Sequence, residues 1–250
     1  MADTSAGGRK IRGVLFDKDG TLFDYNLTWV PIILEAARLT ARGDEDLARR
    51  LMAAGGYDAT SGKVRSGSVI AAGDTPDLVE VWLADARGWQ ADVLLSRLDA
   101  LFTARAADAS VPVTDLPGLF GVLRARGYSL GIATNDGKAS ALATIDRFDL
   151  AGHLEFHCGY DSGYGSKPGP GMVHAFCEAV GLAPEYVAVV GDNKHDFDMG
   201  QAAGVGLKVG VLTGNSEAHD LAPHTDYVIA NVAELPALLE IVEQGASSLF

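Results

Sequence analysis

Asp17 and Asp19 stand two apart in Phe16-Asp17-Lys18-Asp19-Gly20-Thr21. Two carboxylates this close repel each other unless a cation lies between them or one is protonated, so the spacing points to metal binding or to a division of acid and base work. A solvated turn is the plain alternative, since Asp and Gly are ordinary turn residues. Further along, Thr134-Asn135-Asp136-Gly137 offers a hydroxyl and backbone N–H groups suited to a phosphate oxygen, or simply a helix cap. Lys167 lies in Gly165-Ser166-Lys167-Pro168, a rigid turn ahead of a helix, where a lone lysine is commonly a solvated charge. Gly191-Asp192-Asn193-Lys194-His195-Asp196 adds two carboxylates four apart; Asp192 suits a hard oxygen site for Mg²⁺, and the same stretch suits a loop ending in a helix N-cap.

Each of these groups except Lys167 follows a short apolar run. Ile11 to Phe16, Tyr128 to Ala133 and Val187 to Val190 each end in one of the polar stretches, a pattern that predicts buried strands feeding loops. Leu207 to Leu212 and Tyr227 to Ala230 are two more strand-like runs. Helical patterns lie between them at Leu116 to Arg126, Lys138 to Phe148, Gly171 to Val180 and Val232 to Glu243. Alternating strands and helices predict an α/β fold, a doubly wound, Rossmann-like parallel sheet covered on both faces. Ligands of such sheets collect beyond the carboxyl ends of the strands, where these polar residues would stand.

Residues 25–111 follow a different pattern. Four helical stretches are predicted, Leu27 to Ala41, Glu45 to Ala54, Pro76 to Ala86 and Ala91 to Ala106, with no convincing strand and with Thr75 as an N-cap before Pro76. The expected organisation is therefore a catalytic core of residues 1–24 plus 112–250, with an inserted all-α helical cap domain at 25–111.

Taken together, Asp-x-Asp-Gly-Thr, Thr-Asn, Lys-Pro and Gly-Asp-x-x-x-Asp, in that order, resemble the haloacid dehalogenase-like superfamily of phosphohydrolases over nearly the whole chain. The likeness is to the phosphoglycolate-phosphatase-like branch, in which a helical cap follows the first motif. The resemblance implies a phosphatase, with Asp17 as nucleophile forming an aspartyl phosphate and Asp19 as general acid and base. It implies Mg²⁺ held by the Asp17 carboxylate, the Asp19 backbone carbonyl and the Asp192 carboxylate. Thr134 and the Asn135 backbone would bind phosphoryl oxygens, Lys167 would neutralise charge, and Asp196 would orient Lys167 or a metal-bound water. An acid at position 19 favours phosphoryl transfer over dehalogenation. Lys18, where the superfamily more usually has an apolar residue, and Ser166 are departures expected to alter rim electrostatics.

In the cap, Lys63 and Arg65 lie on the turn-rich stretch Gly55 to Gly73 and are candidates to contact a second anion of the substrate. Trp29, Trp82 and Trp89 fall on the predicted cap helices and are expected in its core rather than as substrate platforms. His195 is expected to be a flanking loop residue, because Mg²⁺ prefers oxygen. His153, His157, His174, His219 and His224 show no ligand spacing.

The 250 residues carry 33 Asp plus Glu against 20 Lys plus Arg, a formal net charge of −13. That excess repels polyanions and argues against nucleic acid or an anionic membrane as partner. With 48% hydrophobic and 21% charged residues the chain is globular in composition. Cys158 and Cys177 cannot build a disulfide framework, the N-terminal MADTSAGGRK has no apolar leader, and no run approaches the ~18 apolar residues of a membrane span. A cytoplasmic monomer or homodimer acting on a small phosphorylated molecule is expected, with 2-phosphoglycolate the first substrate to consider. Rival readings are a phosphomutase of the same superfamily and a phosphoacceptor signalling domain. The latter is about half this length and has no cap.

Overall fold

The first element among the described residues is β1 (Gly13–Phe16), whose four residues are all buried. A computed structural model describes residues 10–245. The N-terminal stretch expected to hold no apolar leader lies, over positions 1–9, outside the described residues. After β1 the chain runs through α1 (Tyr25–Thr40), α2 (Glu45–Gly55), β2 (Tyr57–Asp58), β3 (Lys63–Val64), α3 (Val69–Ala72), α4 (Thr75–Leu83) and α5 (Ala91–Ala109). It continues with α6 (Leu116–Ala125), β4 (Ser129–Ala133), α7 (Lys138–Arg147), β5 (Phe156–Cys158), α8 (Gly171–Val180), β6 (Val187–Gly191) and α9 (Lys194–Ala203). The last elements are β7 (Leu207–Val211), α10 (Ala218–Leu221), β8 (Tyr227–Ile229) and α11 (Leu235–Glu243).

Six strands form one parallel sheet in the order β5-β4-β1-β6-β7-β8. Side chains alternate between its faces, as a strand requires. Val14, Phe16, Ile132 and Val190 enter one core with α6 and α11, while Leu15, Val187 and Val189 enter another with Phe176 of α8 and Met199 of α9. Burial on both faces explains why these strands read as nearly unbroken apolar runs. Register then fixes the site: Phe16 pairs with Ile132 on one side and Val190 on the other, so all three chains reach the edge of the sheet together.

Residues of the insertion pack around their own centre, with Trp29 and Ile33 of α1, Leu51 of α2, Trp82 of α4, and Leu94 and Phe102 of α5. The expectation of no strand here is overturned by β2 and β3, an antiparallel pair matching Tyr57 with Val64 and Asp58 with Lys63. Two residues per strand are too few to leave a period in the sequence. Thr75 is the first residue of α4, not its cap: Asp74 accepts from the Asp77 N–H at 3.0 Å, and Asp77 accepts in return from Asp74, a reciprocal capping box. Trp89 lies in the loop before α5, not on a helix, and donates to the Thr40 carbonyl. Chain entry and exit meet where Phe23 bridges to Pro112 and the Asp24 N–H bonds the Val111 carbonyl at 2.8 Å. No helix among the described residues is long and apolar enough to cross a membrane.

Candidate active site

Asp17 is the first residue beyond β1, and its N–H still bonds the Val190 carbonyl at 2.8 Å. That bond holds the carboxylate beside Asp192, which follows β6. Lys167, 6% exposed, reaches in from the loop ahead of α8, with Nζ 2.5 Å from Asp17 Oδ1 and 2.7 Å from Asp196 Oδ1. The other Asp196 oxygen accepts from the Asn193 N–H, completing a capping box at the start of α9. The helix cap and the lysine clamp therefore share one carboxylate.

Asp17 Oδ2 is buried and has no hydrogen-bond partner. Carboxylate oxygens of Asp17, Asp192 and Asp196 all lie within 4.8 Å of one another. Burial pushes the Asp17 carboxyl up to about 7 against the pull of Lys167, with Asp196 and Asp19 adding to the rise. Burial, then the negative charges of Asp17 and Asp196, hold Asp192 well above the carboxylate range. Such a crowd of hard oxygen donors fits a divalent cation such as Mg²⁺.

Backbone space around Asp192 is cut to size. A Cβ on Gly214 would stand 1.8 Å from Asp192 Oδ2, and one on Gly20, whose φ is +89°, would stand 2.6 Å from it. Glycine at both places lets two loops close on the carboxylate. Thr213 pins them together by donating from Oγ1 to the Gly20 carbonyl at 2.7 Å.

After β4, Thr134 Oγ1 accepts from the Asp136 N–H at 3.0 Å, which leaves the hydroxyl proton free to be donated elsewhere. The N–H groups of Asp136 and Gly137 are both taken by side chains of this loop, so those two do not serve a phosphate here. Asn135 does something its sequence position did not reveal: Oδ1 accepts from the Lys167 N–H at 2.9 Å, and Nδ2 donates to the Ala72 carbonyl at 2.9 Å.

Lys18 overturns the expectation of a rim residue. It is wholly buried, with Nζ 2.8 Å from Asp19 Oδ2, 3.1 Å from Asp136 Oδ2 and 5.4 Å from the centre of the Trp29 ring. Burial opposes its charge, but Asp19 and Asp136 outweigh that and raise its pKa. His195 belongs to α9 rather than to a loop, and its Nδ1 lies 3.2 Å from the Ala72 carbonyl. A carbonyl only accepts, so the tautomer protonated at Nδ1 makes this bond.

Over these groups lies a cavity shared by both units. Asp17, Asp19, Thr134, Asn135, Lys167, Asp192, His195 and Asp196 line it from the sheet side. From the insertion come Tyr25, Trp29 and Asp74 among others, none of which the motifs had singled out as site residues. Trp29 does both jobs, core and wall, and its buried indole N–H has no partner. Lys63 and Arg65 are exposed on and beside β3, and neither lines the cavity. The signal for the insertion's wall was present in the helical apolar face of α1, but burial in a core and burial against a ligand look alike in sequence.

Residues 11–204 match the family described as haloacid dehalogenase-like hydrolase. A phosphoglycolate phosphatase from Shigella boydii is 27% identical over 246 residues, covering 91% of this chain and 92% of that protein. Among solved structures, an HAD phosphatase from Thermococcus onnurineus matches with a TM-score of 0.63 and 20% identity, covering 92% of this chain and 98% of that one. CbbY from Rhodobacter sphaeroides, in complex with phosphate, matches with a TM-score of 0.65 and 17% identity, covering 90% and 96%. At these identities the structural likenesses speak for the fold.

Proposed function

The chain belongs to the haloacid dehalogenase-like hydrolases, and from that premise we propose a Mg²⁺-dependent phosphatase that hydrolyses a small phosphomonoester through an aspartyl phosphate on Asp17. The observation that carries the reading is the state of the Asp17 carboxylate. One oxygen is clamped by Lys167 while the other is buried and unpartnered, as a nucleophile awaiting phosphorus would be.

An Asp17 oxygen attacks phosphorus in line as the bond to the leaving oxygen breaks, and Asp19, in its protonated form and released from its pairing with Lys18, gives that oxygen its proton. Asp19, now anionic, takes a proton from the water that attacks the same phosphorus. The bond to Asp17 then breaks, releasing phosphate. Lys167 offsets the charge shared by phosphate and Asp17, and the Thr134 hydroxyl with the Asn135 N–H orients phosphoryl oxygens. Asp17, Asp192 and the Asp19 backbone carbonyl would hold Mg²⁺, with Asp196 supporting through Lys167. The metal's contribution is positive charge where a carboxylate meets a phosphate dianion.

A phosphate-release assay with Mg²⁺ across glycolate, sugar, nucleotide and pyridoxal phosphates tests this, run beside Asp17→Asn. 2-Phosphoglycolate enters as the reference substrate because of the name of the Shigella boydii relative. No release from any ester, or an Asp17→Asn protein equal to wild type, overturns the reading. Release without a second sugar acceptor separates hydrolysis from mutase chemistry, and a long-lived phosphorylated Asp17 would indicate a phosphoacceptor instead. The buried free thiols of Cys158 and Cys177 suit a reducing compartment, and a cytoplasmic location is part of the proposal.

A further inference from the structure

The two walls of the cavity differ in kind. The sheet side is ionic, whereas the insertion brings Trp29, Ile33, Ile70, Leu78 and Phe102, each no more than 6% exposed. Among the described residues that line the cavity, Lys167 is the one lysine or arginine, and its ammonium is already divided between Asp17 and Asp196. Lys18, beneath the floor, is committed to Asp19 and Asp136. The insertion contributes a single charged residue to the lining, and that residue is an acid, Asp74.

A phosphoryl group seated over Asp17 leaves the rest of its ester to meet the insertion's wall. A carboxylate there would give up water, find no free cation, and face the Asp74 carboxylate; carbon would meet aromatic and aliphatic side chains. On the phosphatase reading, we propose that the leaving group is uncharged and apolar, and that Asp74 is the specificity-determining residue that turns away substrates carrying a second anion. Asp74 caps α4, sits at the favourable end of its dipole and accepts from Ser166, and its charge faces the cavity as well. Asn caps a helix about as well as Asp, so the cap of α4 needs the side-chain oxygen but not its charge.

A matched pair of esters tests this. Isobutyl phosphate has the branching of 2-phosphoglycolate, with the two carboxylate oxygens replaced by methyl groups. Wild type is expected to favour isobutyl phosphate by about tenfold or more in kcat/KM. Asp74→Asn, which keeps the cap, is expected to narrow that preference by about threefold or more. The ratio of two substrates on one protein does not depend on how much of it is folded. A wild type that hydrolyses both and handles 2-phosphoglycolate as well or better overturns the proposal while leaving the phosphatase reading intact. An Asp74→Asn protein with an unchanged ratio overturns the role given to Asp74. If both esters and p-nitrophenyl phosphate all stay intact, the phosphatase reading falls and the proposal with it.

Discussion

Lys18 Nζ lies 2.8 Å from Asp19 Oδ2, a buried ion pair inside the motif that carries the nucleophile. Asp136, on the loop after β4, completes the arrangement from 3.1 Å. A single ammonium thus ties the proposed general acid to the proposed phosphate loop under the wall formed by Trp29.

Lys18→Met should therefore be costly even though methionine fits the shape. It leaves two carboxylates buried without their cation, and a loss of about 3–5 kcal/mol is expected. Urea denaturation measures it. Adding Asp136→Asn to Lys18→Met should recover part of the loss, and an unchanged midpoint for Lys18→Met alone would contradict the role given to the pair.

Asp19→Asn removes the proton donor and should lower kcat/KM on alkyl esters by about 10²–10⁴-fold. On p-nitrophenyl phosphate the loss should be smaller, because nitrophenolate departs without a proton. Equal losses on both esters would mean that Asp19 is not the acid of the first step.

Removing the Asp192 charge should act in opposite directions with and without metal. In the metal-free protein Asp192→Asn relieves repulsion among buried carboxylates, so its Tm should rise above wild type. Mg²⁺ at a hundred times its Kd should stabilise wild type by about 2.7 kcal/mol and the variant by far less. Thermal unfolding with EDTA and with Mg²⁺ reads both effects, and a variant that responds to Mg²⁺ like wild type would remove Asp192 from the ligand set.

Gly214→Ala puts a methyl group where Asp192 Oδ2 already stands, 1.8 Å from the new carbon. The Mg²⁺ concentration needed for half-maximal turnover should rise by about tenfold or more. Gly152→Ala, which meets nothing within 4 Å, is the control and should leave it unchanged.

Much of this was legible in the residues themselves. The polar groups after β1, β4 and β6 stood out because strands buried on both faces make apolar runs with sharp ends, and the parallel fold follows from their alternation with helices. Edges and short pieces were not legible. β5 has three residues and a half-exposed face, and α3 has four, too few for any period to show. Lys18 was misplaced because composition assigns lysine to the surface, and only the three-dimensional meeting of Asp19 with Asp136 reveals two partners able to bury it. Asp74 was passed over because the cap of α4 was expected at Thr75, and an acid in a turn looks the same in one dimension whether it faces solvent or a ligand.

Asn135 spends one amide on two allegiances. Its oxygen holds the backbone of Lys167 and its nitrogen holds Ala72 of the insertion, to which His195 also bonds. Any swing of the helical unit away from the sheet must break those Ala72 bonds, while Asn135 keeps both contacts with Lys167, through Oδ1 to its N–H at 2.9 Å and through Nδ2 to its carbonyl at 3.3 Å. The amide that seats the Lys167 loop is thus also the one that meets the insertion, so the two walls of the chamber share a fixed point one residue beyond Thr134.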